Sequence, residues 1–423
     1  MLDRVLVKNI SSLFSLRITS YIIPLITLPY LVRVLEPEGY GTFAYCIAII
    51  QYFVIAVNYG FDLSATKKIA ENNCNKEEIS KIFWNVISVR LLIAFIGLLL
   101  LFGLSVIFNE ISKIFILLLL LYMTVLEAVF FPQWLFQGKE QLGMVSIAKM
   151  SLQIINIPLI FLFISDEEDI WKLASLIALP GVLIIVFSSF LIVKRGWICW
   201  VKPSFSEMKS QILDGWHLFI STAAISLYTT STVVILGIIT GPTSVAIYVS
   251  ANKLLQAALG IYTPITASFY PRINNLMVES KEKALKLIQY VIKLQVLITL
   301  VLSILMFFLA PHVVSLLFGA GYEQSVEVLQ IMSVLPIIIG LSHVFGVLVL
   351  LSHGYKKEFS SVLLLSGFFS LFTLIPLCYY FGAIGAAVSV VITECIVTLL
   401  MLILIKKNKI PVFKKIIRTN NEI

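Results

Sequence analysis

The chain is poor in charge. Only 13% of its 423 residues are Asp, Glu, Lys or Arg, against 59% hydrophobic. A water-soluble domain of this length cannot hide so much apolar surface. Strict polar–apolar alternation is also missing, which excludes a transmembrane barrel. No GxxxxGK[ST] stretch occurs, and no soluble segment is long enough to house a nucleotide site, so the chain is not by itself an ATP-driven pump. The four histidines form no HExxH pair, and the five cysteines are odd in number and lack metal spacing. Neither a zinc enzyme nor a nucleophile elbow is visible, and the sequence calls for no cofactor. The loops are short and the larger polar ones basic, which leaves no place for the carboxylate constellation of a membrane glycosyltransferase. A cleavable signal is absent too, because the first long apolar segment carries Arg17 and no small-residue cleavage site.

What fills the chain instead is a series of apolar runs of membrane-crossing length. Twelve spans are expected, near 10–33, 39–62, 82–107, 112–136, 142–164, 171–193, 211–239, 243–270, 283–310, 325–352, 358–380 and 384–405. With the N-terminus inside, the inner loops collect Lys67, Lys68, Lys76, Lys139, Lys194, Arg195, Lys202, Lys281, Lys283, Lys356 and Lys357. The tail adds Lys406, Lys407, Lys409, Lys414, Lys415 and Arg418. The outer loops hold only Arg33, Lys113 and Lys172, beside the acidic cluster Asp166–Asp169. This asymmetry puts both termini in the cytoplasm. It also accounts for most of the +8 net charge without a nucleic-acid partner; an anionic cargo accounts for the rest. Pro24 and Pro29 predict a bend in the first span. Trp197 and Trp200, among Lys194, Arg195 and Lys202, suit a segment at the headgroup level.

Two stretches repeat. EPEGYGTFAY at Glu36 returns as GPTSVAIYVS at Gly241, with Pro37 on Pro242 at an offset of 205. PQWLFQGKEQ at Pro132 returns as LLSHGYKKEF, with Gly138 on Gly354 at an offset of 216. The order is the same in both halves, and each half holds an even number of spans. An all-α membrane protein follows, with six-helix lobes at 1–200 and 201–423 related by a pseudo-twofold axis along the membrane normal.

Basic residues stand inside the apolar runs: Arg17, Arg90, Lys149, Lys253 and Lys293. Each costs about 2.5–3.5 kcal/mol at mid-span, so five facing lipid would cost on the order of 10 kcal/mol. They are expected to face a watery cleft or acidic partners. Glu127 and Glu394 lie at similar depth, with Asp62 and Asp214 nearer the inner surface. In the purely structural alternative Arg90 pairs with Glu127 and Lys149 and Arg17 snorkel, or Glu127 and Asp62 find their partners in Arg90 or Lys149. In the functional one, Arg17, Arg90, Lys253 and Lys293 line a single anion-binding cleft, since Arg and Lys both hold phosphate. With no nucleotide site, Glu127 and Asp62 are the candidate acids for coupling to protons or sodium. Aromatic residues make up 12% of the chain; core packing and interface belts explain most of them.

EPEGYG with its following span and ATKKIA, PQWLFQGKEQ, and GAIGAAVSVVITE at Gly382–Glu394 together resemble the Wzx-type flippases of O-antigen and capsule repeat units. These form the polysaccharide-exporter branch of the multidrug/oligosaccharidyl-lipid/polysaccharide exporter superfamily. The resemblance implies two six-helix lobes in a V. It implies transport of undecaprenyl-pyrophosphate-linked oligosaccharides between leaflets of the bacterial cytoplasmic membrane, among membrane lipids and beside the polymerase and chain-length regulator of the pathway. The diphosphate is then the anion for the cationic cleft. Ion-coupled multidrug exporters share the fold but favour acids in the cleft, and span one here has none before Glu36. Lipid II flippases usually add two further spans. Membrane glycosyltransferases are the enzymatic alternative, and a scaffold for polymer assembly is the non-transport one.

Overall fold

A computed structural model describes residues 23–72 and 75–413. Arg17, Cys74 and the tail residues Lys414, Lys415 and Arg418 lie outside the described residues. Among the described residues the chain is helical throughout, without strands. Its contacts fall into two compact units. The first takes the described residues up to Ser226 and Thr240–Ala246; the second takes Leu227–Ile239 and the described residues from Ile247 on.

In the first unit, α1 (Ile23–Val34) runs as helix through Pro24 and Pro29. The helix α2 (Glu36–Asn58) starts with Glu36 and Glu38 in its first turn, where carboxylates complement the helix dipole. It stops because Tyr59 (φ 46°) and Gly60 (φ 88°) both take left-handed backbone, which a helix cannot continue through. The chain resumes as α3 (Phe61–Glu71). Next, α4 (Lys76–Ile107) is capped by the Asn75 side chain, which accepts from the Glu77 and Glu78 amides at 3.1 and 3.2 Å. There follow α5 (Asn109–Lys113), α6 (Phe115–Leu121), α7 (Met123–Phe130), α8 (Gln133–Gly138), α9 (Leu142–Phe163) and α10 (Ile170–Arg195). One buried cluster knits α3, α4, α8, α9 and α10 together through Phe61, Ile69, Ile79, Val86, Trp134, Phe136, Val145 and Ile184. It fixes α3 against α8 and α4, and so fixes the residues on the far side of the Tyr59–Gly60 break.

The chain then passes through α11 (Phe205–Thr240) and α12 (Pro242–Glu279), joined at Gly241. The second unit continues with α13 (Lys281–Phe318), α14 (Gln324–Met332), α15 (Leu335–His343), a π-helical segment at Val344–Leu351, and α16 (Lys356–Lys407). Its core gathers Ile273, Ile288, Val344, Phe345, Leu348, Val397, Met401 and Ile405.

Nine helical segments among the described residues are long and apolar enough to cross a membrane, and ten if Leu218–Ser226 and Tyr228–Thr240 make one bent span. The protein is therefore a multi-pass membrane protein. The tally differs from the twelve expected spans for identifiable reasons. The expected span one lies largely outside the described residues, leaving the short α1. Spans eleven and twelve form one 52-residue run, interrupted only at Gly382 (φ 55°, ψ −130°). A single residue in a conformation available mainly to glycine reverses the path without any polar loop to mark it.

The two repeats have structural counterparts. Glu36 and Gly241, which share a register when Pro37 is set on Pro242, both have positive φ (55° and 84°). The second repeat has a different register from the one read in the sequence. Gln141 N–H donates to Phe136 C=O and Glu140 N–H to Gln137 C=O; Tyr355 N–H donates to Leu350 C=O and Gly354 N–H to Leu351 C=O. These are equivalent helix-terminating motifs with the left-handed residue at Glu140 (φ 56°) and at Gly354 (φ 89°). Gly354 therefore answers Glu140, not Gly138. Aligning glycine with glycine misplaced the turn because the first copy puts a glutamate in the left-handed position.

Candidate functional site: a pocket of paired charges in the first unit

A pocket of about 320 Å³ opens in the first unit, within the size range of small-ligand sites. Its polar lining comes from Gln51 and Asn58 on α2, Asp62 on α3, Arg90 on α4, Thr124 and Glu127 on α7, Gln133 on α8 and Lys149 on α9. The side chains meet because each is one face of its helix. Gln51, Val54 and Asn58 recur at helical spacing, as do Thr124, Glu127, Ala128 and Phe131.

Two ion pairs span the pocket. Arg90 Nη2 donates to Asp62 Oδ1 at 2.9 Å, and Arg90 Nη1 donates to the Ala128 carbonyl at 2.7 Å. The guanidinium lies 5.7 Å from the centre of the Phe61 ring, and its Nε–H is buried without a partner. Lys149 Nζ donates to Glu127 Oε1 at 2.5 Å and stands 5.2 Å from the centre of the Phe131 ring. Gly181 on α10 makes room for this carboxylate, since a Cβ there would run into Glu127 Oε2. Two carboxylates oppose two cations, so the pocket's formal charge balances. Below the Tyr59–Gly60 break, Lys68 donates to Asp214 at 2.5 Å and to Gln211 at 3.0 Å, tying α3 to α11 within the first unit.

The structure corrects the pairing anticipated for Arg90. Its carboxylate is Asp62, while Glu127 is taken by Lys149. The break after α2 redirects α3 so that Asp62 reaches α4, and no sequence distance along an uninterrupted span would have suggested this. Of the expected site residues, Arg90, Asp62 and Glu127 thus share one pocket. Lys253 on α12 and Lys293 on α13 belong to the second unit; both are exposed, and neither forms an ion pair with a carboxylate among the described residues. Arg17 lies outside the described residues. Sequence reasoning passed over Gln51, Asn58, Thr124 and Gln133, and left Lys149 either snorkelling or paired with one of the two acids. The signal available was polar residues at helical spacing within apolar runs.

The fold has solved counterparts. The chain superposes with TM-score 0.73 and 15% identity on an inward-facing multidrug resistance MATE family transporter of the MOP superfamily, covering 94% of each chain. It superposes equally well on the lipid II flippase MurJ in an inward closed conformation, at 15% identity over 94% of this chain and 87% of that one. At such identities the likeness defines a class by fold alone, that of the MATE- and MurJ-like membrane proteins. Sequence narrows it further: the chain belongs to the polysaccharide biosynthesis protein family, whose model matches residues 6–277. It is 37% identical over 405 residues to an Escherichia coli (strain K12) protein named for O-antigen transport, covering 96% of this chain and 98% of that protein. A Shigella dysenteriae protein with the same name is 32% identical over 94% of this chain and 100% of its own length.

Proposed function

We propose that the protein is a flippase that moves undecaprenyl-pyrophosphate-linked oligosaccharide repeat units, of O-antigen or a similar surface polysaccharide, across the bacterial cytoplasmic membrane by alternating access. One observation carries this reading: the similarity to relatives named for O-antigen transport runs end to end in both chains. The protein acts as a carrier rather than an enzyme. Its partners are the lipid-linked glycan, the surrounding lipids and the polymerase and chain-length regulator of the same pathway.

Twelve spans in two six-helix lobes, 1–200 and 201–423, form a V with a pseudo-twofold along the membrane normal and both termini in the cytoplasm. The matching left-handed turns at Glu36 and Gly241, and at Glu140 and Gly354, support the duplication; the basic inner loops support the orientation.

Arg17, Arg90, Lys253 and Lys293 bind the diphosphate. Lys253 and Lys293 have no competing carboxylate among the described residues, so their charge is available as it stands. Arg90 is occupied by Asp62. Protonating Asp62 removes its claim on the guanidinium and frees Arg90 for a phosphate oxygen, which couples anion binding to proton binding. Glu127 has the same relation to Lys149. The test is restoration of surface polysaccharide in a flippase-deleted host across a panel of repeat units, with transport in proteoliposomes under imposed proton and sodium gradients. Failure to restore any polymer overturns the flippase reading; indifference to both gradients overturns the coupling.

A further inference from the structure

Glu394 is a membrane-depth acid that the first-unit pocket does not use. It lies on α16, in the second unit, and only 8% of it is exposed. No Lys or Arg among the described residues forms an ion pair with it. Among the described residues the one side-chain hydrogen bond to this residue, from Thr398 Oγ1 at 2.8 Å, goes to its main-chain carbonyl, and no donor reaches the carboxyl group.

Among the described residues, Tyr228 on α11, Tyr262 on α12 and the adjacent Cys395 lie within electrostatic reach. Tyr262 is fully buried, and its hydroxyl has no hydrogen-bond partner. Tyr228 is buried as well. The helices α14 and α15 also pack on α16. The former offers Glu327, which is exposed. The latter offers His343, which lies beyond the level of Glu394: Thr398 meets the Ile338 carbonyl and Gly346 lies against Met401, so the two helices run in the same direction. Lys253 shares α12 with Tyr262 but makes no ion pair with Glu394.

We propose that Glu394 is a proton-binding site of the second unit, protonated at neutral pH and exchanging its proton as the carrier cycles. An ionised carboxylate in a dry site without a cation is strongly disfavoured, and such a group takes up a proton instead. Asp62 and Glu127 differ in just this respect, because each stands against a cation, Arg90 and Lys149 respectively. The two tyrosines make the proton removable. When water reaches the cluster it can bridge the carboxylate to the nearby Tyr228 and Tyr262 hydroxyls, and charge-assisted bonds to a carboxylate are the stronger ones. Protonation requires only the geometry on α16; the exchange rests on the carrier reading.

The experiment uses the full-length protein in lipid. Infrared spectra of the wild type at neutral pH should show a protonated-carboxyl stretch that Glu394→Gln removes and Asp62→Asn retains. Absence of the band in wild type, or its persistence in Glu394→Gln, overturns the site. Should Glu394→Gln be poorly produced, glutamate-selective isotope labelling of the wild type reads the same band: a shift supports the site and no shift overturns it. In proteoliposomes loaded with undecaprenyl-pyrophosphate-linked glycan, Glu394→Gln should weaken the dependence of transport on an imposed proton gradient. Unchanged dependence overturns the exchange. If wild-type protein moves no lipid at all, the flippase reading fails together with the exchange, while the infrared result still decides whether Glu394 is protonated.

Discussion

Arg90 and Asp62 form a pair 2.9 Å apart whose two ends have unlike surroundings: the arginine side chain is 1% exposed and the aspartate 48%. Losing one partner is therefore not equivalent to losing the other. Asp62→Ala leaves a buried guanidinium uncompensated, a class of change that costs up to about 3–5 kcal/mol and somewhat less here because the pocket admits water. Arg90→Ala leaves a carboxylate that water can solvate. We expect Asp62→Ala to lower thermal stability and membrane level clearly more than Arg90→Ala, with the double variant recovering part of the loss. Melting of purified variants, read as a double-mutant cycle, checks this; equal losses from the two single changes would refute the asymmetry.

Gly181 faces Glu127 without a side chain between them. Gly181→Ala should push the carboxylate off Lys149, at an overpacking cost of about 1–3 kcal/mol. Polymer export by Gly181→Ala should fall to the level of Glu127→Gln, and adding Glu127→Gln to Gly181→Ala should lower export no further. Full export by Gly181→Ala would mean that the Glu127–Lys149 contact is dispensable.

The exposed cations of the second unit invite a charge test. Lys253→Ala and Lys293→Ala should reach the membrane at near wild-type levels, since neither substitution leaves a buried charge behind. Export should drop severalfold for alanine and further for glutamate, which opposes the phosphates. Wild-type export from both alanine variants would place the diphosphate elsewhere.

Reporters fused after Lys76, Lys202 or Lys357 should remain cytoplasmic, and those after Asp169 should be exported. Export of the Lys202 fusion would break the six-plus-six arrangement, because that residue lies between the sixth and seventh expected spans.

Composition and the lack of polar–apolar alternation together determined that this is a helical membrane protein, because only helices and closed barrels satisfy a backbone in lipid. Repeated short motifs disclosed the matching turns and the family, since the turns that end helices are local and leave local marks. The unusual acids and bases within apolar runs were equally legible, because desolvation makes every one of them costly wherever it faces. Their partners were not. Tertiary structure gave Arg90 to Asp62 and Glu127 to Lys149, through a two-residue break after Asn58 that turns α3 toward α4. It left Glu394 within electrostatic reach of Tyr228 and Tyr262 and, among the described residues, without an ion-paired cation. It also set Gly354 against Glu140, where the letters had matched glycine to glycine. The reason is the same in each case: charge and backbone conformation belong to positions in space, and helices that lie side by side are separated in sequence by distances no local pattern records.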